Sequence, residues 1–159
     1  MKKIFLVMLL MLGLVASYSL ASTPLFTAGS TLKLVMDNSD KGIEFFQGSW
    51  EDAKALALKK KKLIFLDAYA VWCGPCKLMT KKTFSNDEVG KFFNKHFINY
   101  KMDMENHPEG SRLADKYGLK AYPTLYFLDF NEEIIHEALG YYAPKDFLDL
   151  GLEVVEKTK

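Results

Sequence analysis

The sequence predicts an α/β sandwich built on a mixed sheet. From residue 42 onward, strand-like apolar runs alternate with helix-forming stretches of about ten residues. The last two strand-like runs are separated by only a short polar turn, which pairs them antiparallel and mixes the sheet.

In chain order, Ile43-Glu44-Phe45-Phe46 suits a short strand. Ser49 with Asp52 three residues on makes a capping-box-like start, and residues 53–62 are good helix formers. The lysines Lys59, Lys60, Lys61 and Lys62 fall at that helix's end, where cations complement the dipole and solvate a turn. Residues 63–69 (Leu-Ile-Phe-Leu-Asp-Ala-Tyr) are almost continuously apolar, as expected of a central strand covered on both faces. A helix is expected from Cys73 through Lys82. Ser85 and Glu88 repeat the capping-box spacing and open a short helix through Phe93. Residues 97–105 read as a strand, and residues 108–117 as a helix ended by Gly118. Residues 124–128 and 134–138 are paired strands around a turn at 129–133. Pro144 and Asp146 open a last helix reaching about Lys157.

Composition narrows the function classes. A chain of 159 residues allows one ordinary domain with a real core. With 21 basic and 20 acidic side chains, the net charge of +1 gives no basis for binding nucleic acid or an anionic membrane surface. An aromatic content of 14% argues against disorder. Two cysteines cannot make a four-cysteine zinc site or a disulfide-dense scaffold. They can make one pair.

The N-terminus reads as an export label. Lys2 and Lys3 precede an apolar run over residues 4–16, followed by Ser17-Tyr18-Ser19-Leu20-Ala21, a small-x-small ending. That is the pattern of a signal peptide over residues 1–21. The alternative, an N-terminal membrane anchor, faces an apolar core shorter than the ~20 residues a span prefers. Both readings export the rest. Cleavage after Ala21 removes Lys2 and Lys3 and leaves 138 residues with 19 basic and 20 acidic side chains. Residues 22–41 read as a leader, with one short strand around 32–36, and residues 42–159 as the domain. Outside the cytoplasm, a cysteine pair is either a disulfide staple or a redox catalyst.

The pair lies in Trp72-Cys73-Gly74-Pro75-Cys76-Lys77, directly after the apolar strand and at the start of a helix. C-x-x-C alone also serves metal sites. At a strand-to-helix junction, unpaired backbone N–H groups and the positive dipole end stabilise a thiolate on the first cysteine. The second, one turn inward and less exposed, is placed to attack a disulfide formed on the first. An inert staple is the competing reading, but so small a loop constrains the unfolded chain very little.

With Asp67 upstream and Tyr122-Pro123-Thr124 downstream, this motif resembles the thioredoxin superfamily. The flanking Phe65-Leu66-Asp67-Ala68-Tyr69-Ala70, Lys81-Lys82-Thr83-Phe84 and Asp103-Met104-Glu105 look more like its exported relatives, including the C-terminal domain of the bacterial thiol:disulfide interchange protein. The resemblance covers about residues 42–157 and implies a thioredoxin-like three-layer α/β/α sandwich with a central mixed sheet. It also implies roles. Cys73 attacks the client, and Cys76 resolves the mixed disulfide. Asp67 accepts the proton that Cys76 must lose, its pKa raised by burial on an apolar strand. Lys101 lies near that acid. Pro123 is the family's cis-proline, and the backbone of Tyr122 pairs with the bound client like an added strand. Trp72 covers the disulfide with an aromatic face. Gly74, Pro75 and Thr124 complete the active-site support.

Other candidates are weaker. Met102, Met104 and His107 can be drawn as a copper site, but alternating methionines on a buried strand are more often core. His96 and His136 have no partner nearby in sequence, and Arg112, the lone arginine, leaves little for phosphate recognition. No metal and no cofactor beyond the Cys73–Cys76 disulfide are expected.

The expectation is therefore an exported thiol–disulfide oxidoreductase, a reductase or electron carrier of the bacterial periplasm. It would act as a monomer on protein thiols and disulfides of exported clients. Its electrons would come from an upstream donor such as a membrane thiol–disulfide transporter. The alternatives are an oxidase or isomerase of folding proteins, or a thioredoxin-fold binding or chaperone module with a structural disulfide.

Overall fold

A computed structural model describes residues 42–159. The expected signal peptide, leader and strand at 32–36 lie outside the described residues. The elements are α1 (Trp50–Lys60), β1 (Leu63–Tyr69), α2 (Gly74–Leu78) running into a π-helical turn (Met79–Thr83), α3 (Asp87–His96), β2 (Phe97–Asp103), α4 (Gly110–Tyr117), β3 (Thr124–Leu128), β4 (Ile134–Leu139) and α5 (Pro144–Lys157).

The sheet runs in the order β2-β1-β3-β4. β1 pairs parallel with β2 and antiparallel with β3, and β3 with β4 closes the antiparallel hairpin. β1 is therefore central, which explains its unbroken apolar run: five consecutive residues, Ile64 to Ala68, are buried. Alternation then divides its side chains between two cores. Phe65, Leu125 and Phe127 face a layer that includes Phe93 of α3 and Phe147 of α5, whose rings stack 4.3 Å apart. Ile64, Leu66, Tyr126 and Leu128 pack with Trp50, Ala53 and Ala57 of α1 and Leu113 of α4. Helices on both faces make the expected three layers.

Most boundaries follow local chemistry. Ser49 caps α1 in a complete capping box with Asp52, and Lys61 ends it in the left-handed region at φ 52°. Gly118 closes α4 at φ 60°. Four expectations need correcting. Residues 43–46 form no strand, because their donors go elsewhere. Ile43 N–H bonds Phe84 O, Glu44 N–H bonds the Asn94 side chain, and only Phe46 N–H reaches β2, at Asn99 O. The cap of α3 is Asn86, which accepts from Val89 N–H, whereas the Ser85 hydroxyl donates backwards to Lys81 O. The cysteine helix does not stay α throughout: Phe84 N–H bonds Met79 O, five residues back, at the close of the π-helical turn. β2 stops at Asp103 and not Glu105, because Asp103 accepts from Glu105 N–H and turns the chain.

Far from the cysteines, Glu132 anchors the β3–β4 turn. Its carboxylate accepts from Trp50 Nε1 at 2.7 Å, Arg112 Nη2 at 2.8 Å and Arg112 Nη1 at 2.9 Å. Lys54 and Lys116 add ion pairs at 3.0 and 3.3 Å. Arg112 foremost holds this carboxyl well below the usual range. One side chain thus ties the hairpin to α1 and α4.

Candidate active site

β1 ends at Tyr69, and the chain turns at once, with Cys73 N–H donating to Ala70 O at 3.0 Å. Cys73 is extended (φ −68°, ψ 112°) and serves as N-cap of α2. Pro75 suits the first helical turn, since it has no N–H to satisfy there. Cys76 N–H donates to Cys73 Sγ at 3.1 Å. Gly74 meets nothing within 4 Å at the position a side chain would take, so glycine leaves this surface open without a packing need for it.

Cys73 and Cys76 form a disulfide with Cα atoms 5.3 Å apart. Both are 2% exposed, so Cys76 is not the more buried of the two as the sequence suggests. They share a small cluster with Ala70, and Tyr69 and Tyr122 pack against that cluster. The Tyr122–Pro123 peptide bond is cis. Thr124 is buried and anchors this loop, donating from its hydroxyl to Ala121 O at 2.8 Å, while Pro123 O accepts from Gly140 N–H at 2.8 Å. Trp72 is 65% exposed; its ring meets Tyr122 edge-on at 5.7 Å, and its Nε1–H donates to Glu105 Oε2 at 2.9 Å. Sequence reasoning missed Glu105 as a partner of Trp72, because the two residues lie in different loops.

Behind the cysteines, the register sets Asp67 directly opposite Lys101 of β2 and Leu125 of β3. Asp67 is fully buried. Its Oδ2 accepts from the Lys101 ammonium, and its Oδ1 has no hydrogen-bond partner among the described residues. Burial pushes the Asp67 carboxyl above its usual range, and the charge and hydrogen bond of Lys101 pull against that rise. A cleft of about 190 Å³ is lined by Tyr69, Cys76, Lys77, Thr80 and Lys101, so the partner of the buried acid and the second cysteine border one space.

The other candidates resolve plainly. Met102 and Met104 lie in the core beneath α1 and α4. His107 Nδ1 accepts from Glu109 N–H, and its Nε2 faces the Tyr100 hydroxyl at 3.3 Å. Arg112 is committed to Glu109 and Glu132. His96 packs its ring on Phe92 at 4.5 Å. No group of three or more metal-ligating side chains is found among the described residues.

Comparison with known proteins agrees with this geometry. A thioredoxin-like family model matches residues 44–129. The solution structure of a disulphide-isomerase candidate from Bacteroides thetaiotaomicron is 40% identical, with a TM-score of 0.62, covering 71% of this chain and 95% of that one. Thioredoxin-2 of Pyricularia oryzae is 34% identical over 90 residues, 56% of this chain and 47% of the relative. The thiol:disulfide interchange protein DsbD of Haemophilus influenzae is 30% identical over 105 residues, 65% of this chain and 18% of the relative. The chain thus spans less than half the length of either of these curated relatives. A family match of that extent, on a chain whose sheet and cysteine placement agree with it, makes this protein a member of the thioredoxin-like family, with the cysteine arrangement of a thiol–disulfide oxidoreductase.

Proposed function

We propose that the protein is an exported disulfide reductase or electron carrier that passes two electrons from the Cys73/Cys76 dithiol to disulfides of exported clients. The observation that carries this reading is the Cys73–Cys76 disulfide at a helix start, backed by the Lys101 ammonium on the buried Asp67. In the reduced protein, the Cys76 N–H that now meets Cys73 Sγ stabilises a thiolate there. That thiolate attacks one client sulfur; a Cys73–client disulfide forms, and the client's other sulfur leaves as a thiolate. Asp67 then takes the Cys76 proton. The Cys76 thiolate attacks Cys73 Sγ, closes the Cys73–Cys76 disulfide and releases the second client thiolate. The client gains two electrons and the dithiol loses two. An external donor must restore them.

Tyr122, before the cis bond and against the cysteine cluster, offers its backbone to an extended client segment. The Gly-Pro interior favours the reducing direction by its resemblance to thioredoxin. The basic and apolar start of residues 1–21 supports export to the bacterial periplasm. DsbD, a thiol:disulfide interchange protein, supports a membrane thiol–disulfide transporter as donor. The likeness to a disulphide-isomerase candidate favours one second reading, an isomerase of folding proteins.

Turnover with insulin and dithiothreitol tests the reading. Cys73→Ser abolishes catalysis, and Cys76→Ser accumulates mixed disulfides with clients, visible by mass spectrometry. Wild-type turnover by Cys73→Ser would leave a binding module with a structural disulfide.

A further inference from the structure

Lys101 is the one hydrogen-bonding partner of the buried Asp67 carboxylate among the described residues, and it is held in an unusual way. Its ammonium lies 4.2 Å from the ring centroid of Tyr69, 5.3 Å from that of Phe84 and 5.8 Å from that of Phe45. Three separate parts of the chain supply these rings: the end of β1, the residue after the π-helical turn, and the segment before α1. Phe45 and Phe84 also meet each other edge-on at 5.4 Å. The other cation over an aromatic ring among the described residues, Lys116, has a single ring, at 5.6 Å. The docking of residues 43–46 on Phe84 and Asn94, with the π-helical turn, thus brings Phe45 and Phe84 to the same ammonium.

We propose that Tyr69, Phe84 and Phe45 form an aromatic cage that pins the Lys101 ammonium on Asp67, and that they are positioning residues for proton transfer from Cys76. Lysine is a point charge on a flexible four-carbon stem, and this one borders an open cleft, so water competes for it. The ring faces attract the ammonium and shed water from it. A fixed cation beside a buried carboxylate favours the charged form, which is the form that accepts a proton. The groups around Asp67 are Tyr69 on its own strand, Lys101 and then Asp103 on β2, and Cys76 and Lys77 on α2; Leu125 of β3, opposite it, is neutral. The inference rests on the reading of Asp67 as the base for Cys76.

The test is a carbon-13 NMR titration of the Asp67 carboxyl in the full chain, assigned by its loss in Asp67→Asn. It is run beside the pH profile of the resolving step. Loosening the ammonium in Tyr69→Leu moves the Asp67 midpoint upward by roughly half to one pH unit and slows resolution at neutral pH about three- to tenfold. Tyr69→Phe, which keeps the ring, restores the wild-type midpoint. Lys101→Met moves it further in the same direction. A role in packing alone has the opposite sign: a smaller side chain lets water reach Asp67 and lowers the midpoint. If Tyr69→Leu does not fold, Phe45→Leu, at another partly buried wall of the cage, carries the same expectation. An unmoved or lowered midpoint in a folded variant overturns the cage and leaves the proposed function intact. Asp67→Asn with an unchanged rate profile overturns the base, and with it the cage's part in proton transfer, whatever the midpoints do.

Discussion

At the scale of single residues, the buried Asp67 carries a stability cost beside the role proposed for it in proton transfer. Burial raises its folded-state pKa, so at pH values above the ordinary aspartate range the folded state holds a proton that the unfolded state has lost. Stability conferred by this group therefore falls as pH rises through that window. Asp67→Asn is expected to flatten the pH dependence of the urea midpoint, raise that midpoint at neutral pH by removing a buried carboxylate, and slow resolution without abolishing attack. Gly74→Ala, where nothing crowds an added side chain, is expected to fold with an unchanged midpoint within about 0.5 kcal/mol. Asp67 is legible in the sequence because a lone acid interrupts an apolar run. Its pairing with Lys101 comes through resemblance, since register between strands 34 positions apart depends on the whole sheet. The cage is not legible at all. Tyr69, Phe84 and Phe45 read as ordinary core aromatics until tertiary structure turns their faces to one ammonium.

At the scale of elements, caps and strands could be read where the signal is local. Ser49 with Asp52, Gly118 and the β3–β4 hairpin all fall where their residue types demand. Residues 43–46 have a strand's composition, yet their backbone is claimed by Phe84 and by the Asn94 side chain of α3, partners that no pattern announces. That docking needs a glycine: a Cβ on Gly90 would stand 2.1 Å from Gly42 O, a backbone atom with no freedom to retreat. Gly90→Ala is expected to cost about 2–3 kcal/mol in urea unfolding, because α3 must shift away from the segment. The Glu132 anchor makes a second prediction. A carboxylate held below its ordinary pKa contributes stability that is fully present above the unfolded value and is lost as pH falls toward the folded one. Glu132→Gln should therefore cost about 3 kcal/mol at neutral pH, and less as the solution is acidified below the ordinary glutamate range. The register puts this turn beyond Leu128, at the opposite end of β3 from Thr124, so turnover should persist wherever the variant remains folded.

At the scale of the whole molecule, the sequence marks where the chemistry stands more clearly than which way it runs. Cysteine position, the upstream acid and the cis-proline loop are local or near-local, and the structure gathers them at the C-terminal end of β1. Direction depends on the difference in free energy between dithiol and disulfide, a quantity that no local sequence pattern announces. A reducing dithiol is checked by the reduction potential of the Cys73–Cys76 pair, equilibrated in thiol buffers and read by alkylation. The expected value lies near the reducing thioredoxin end, roughly −270 mV; a value near −120 mV, on the order of the strongest oxidants of this chemistry, overturns the reductase reading.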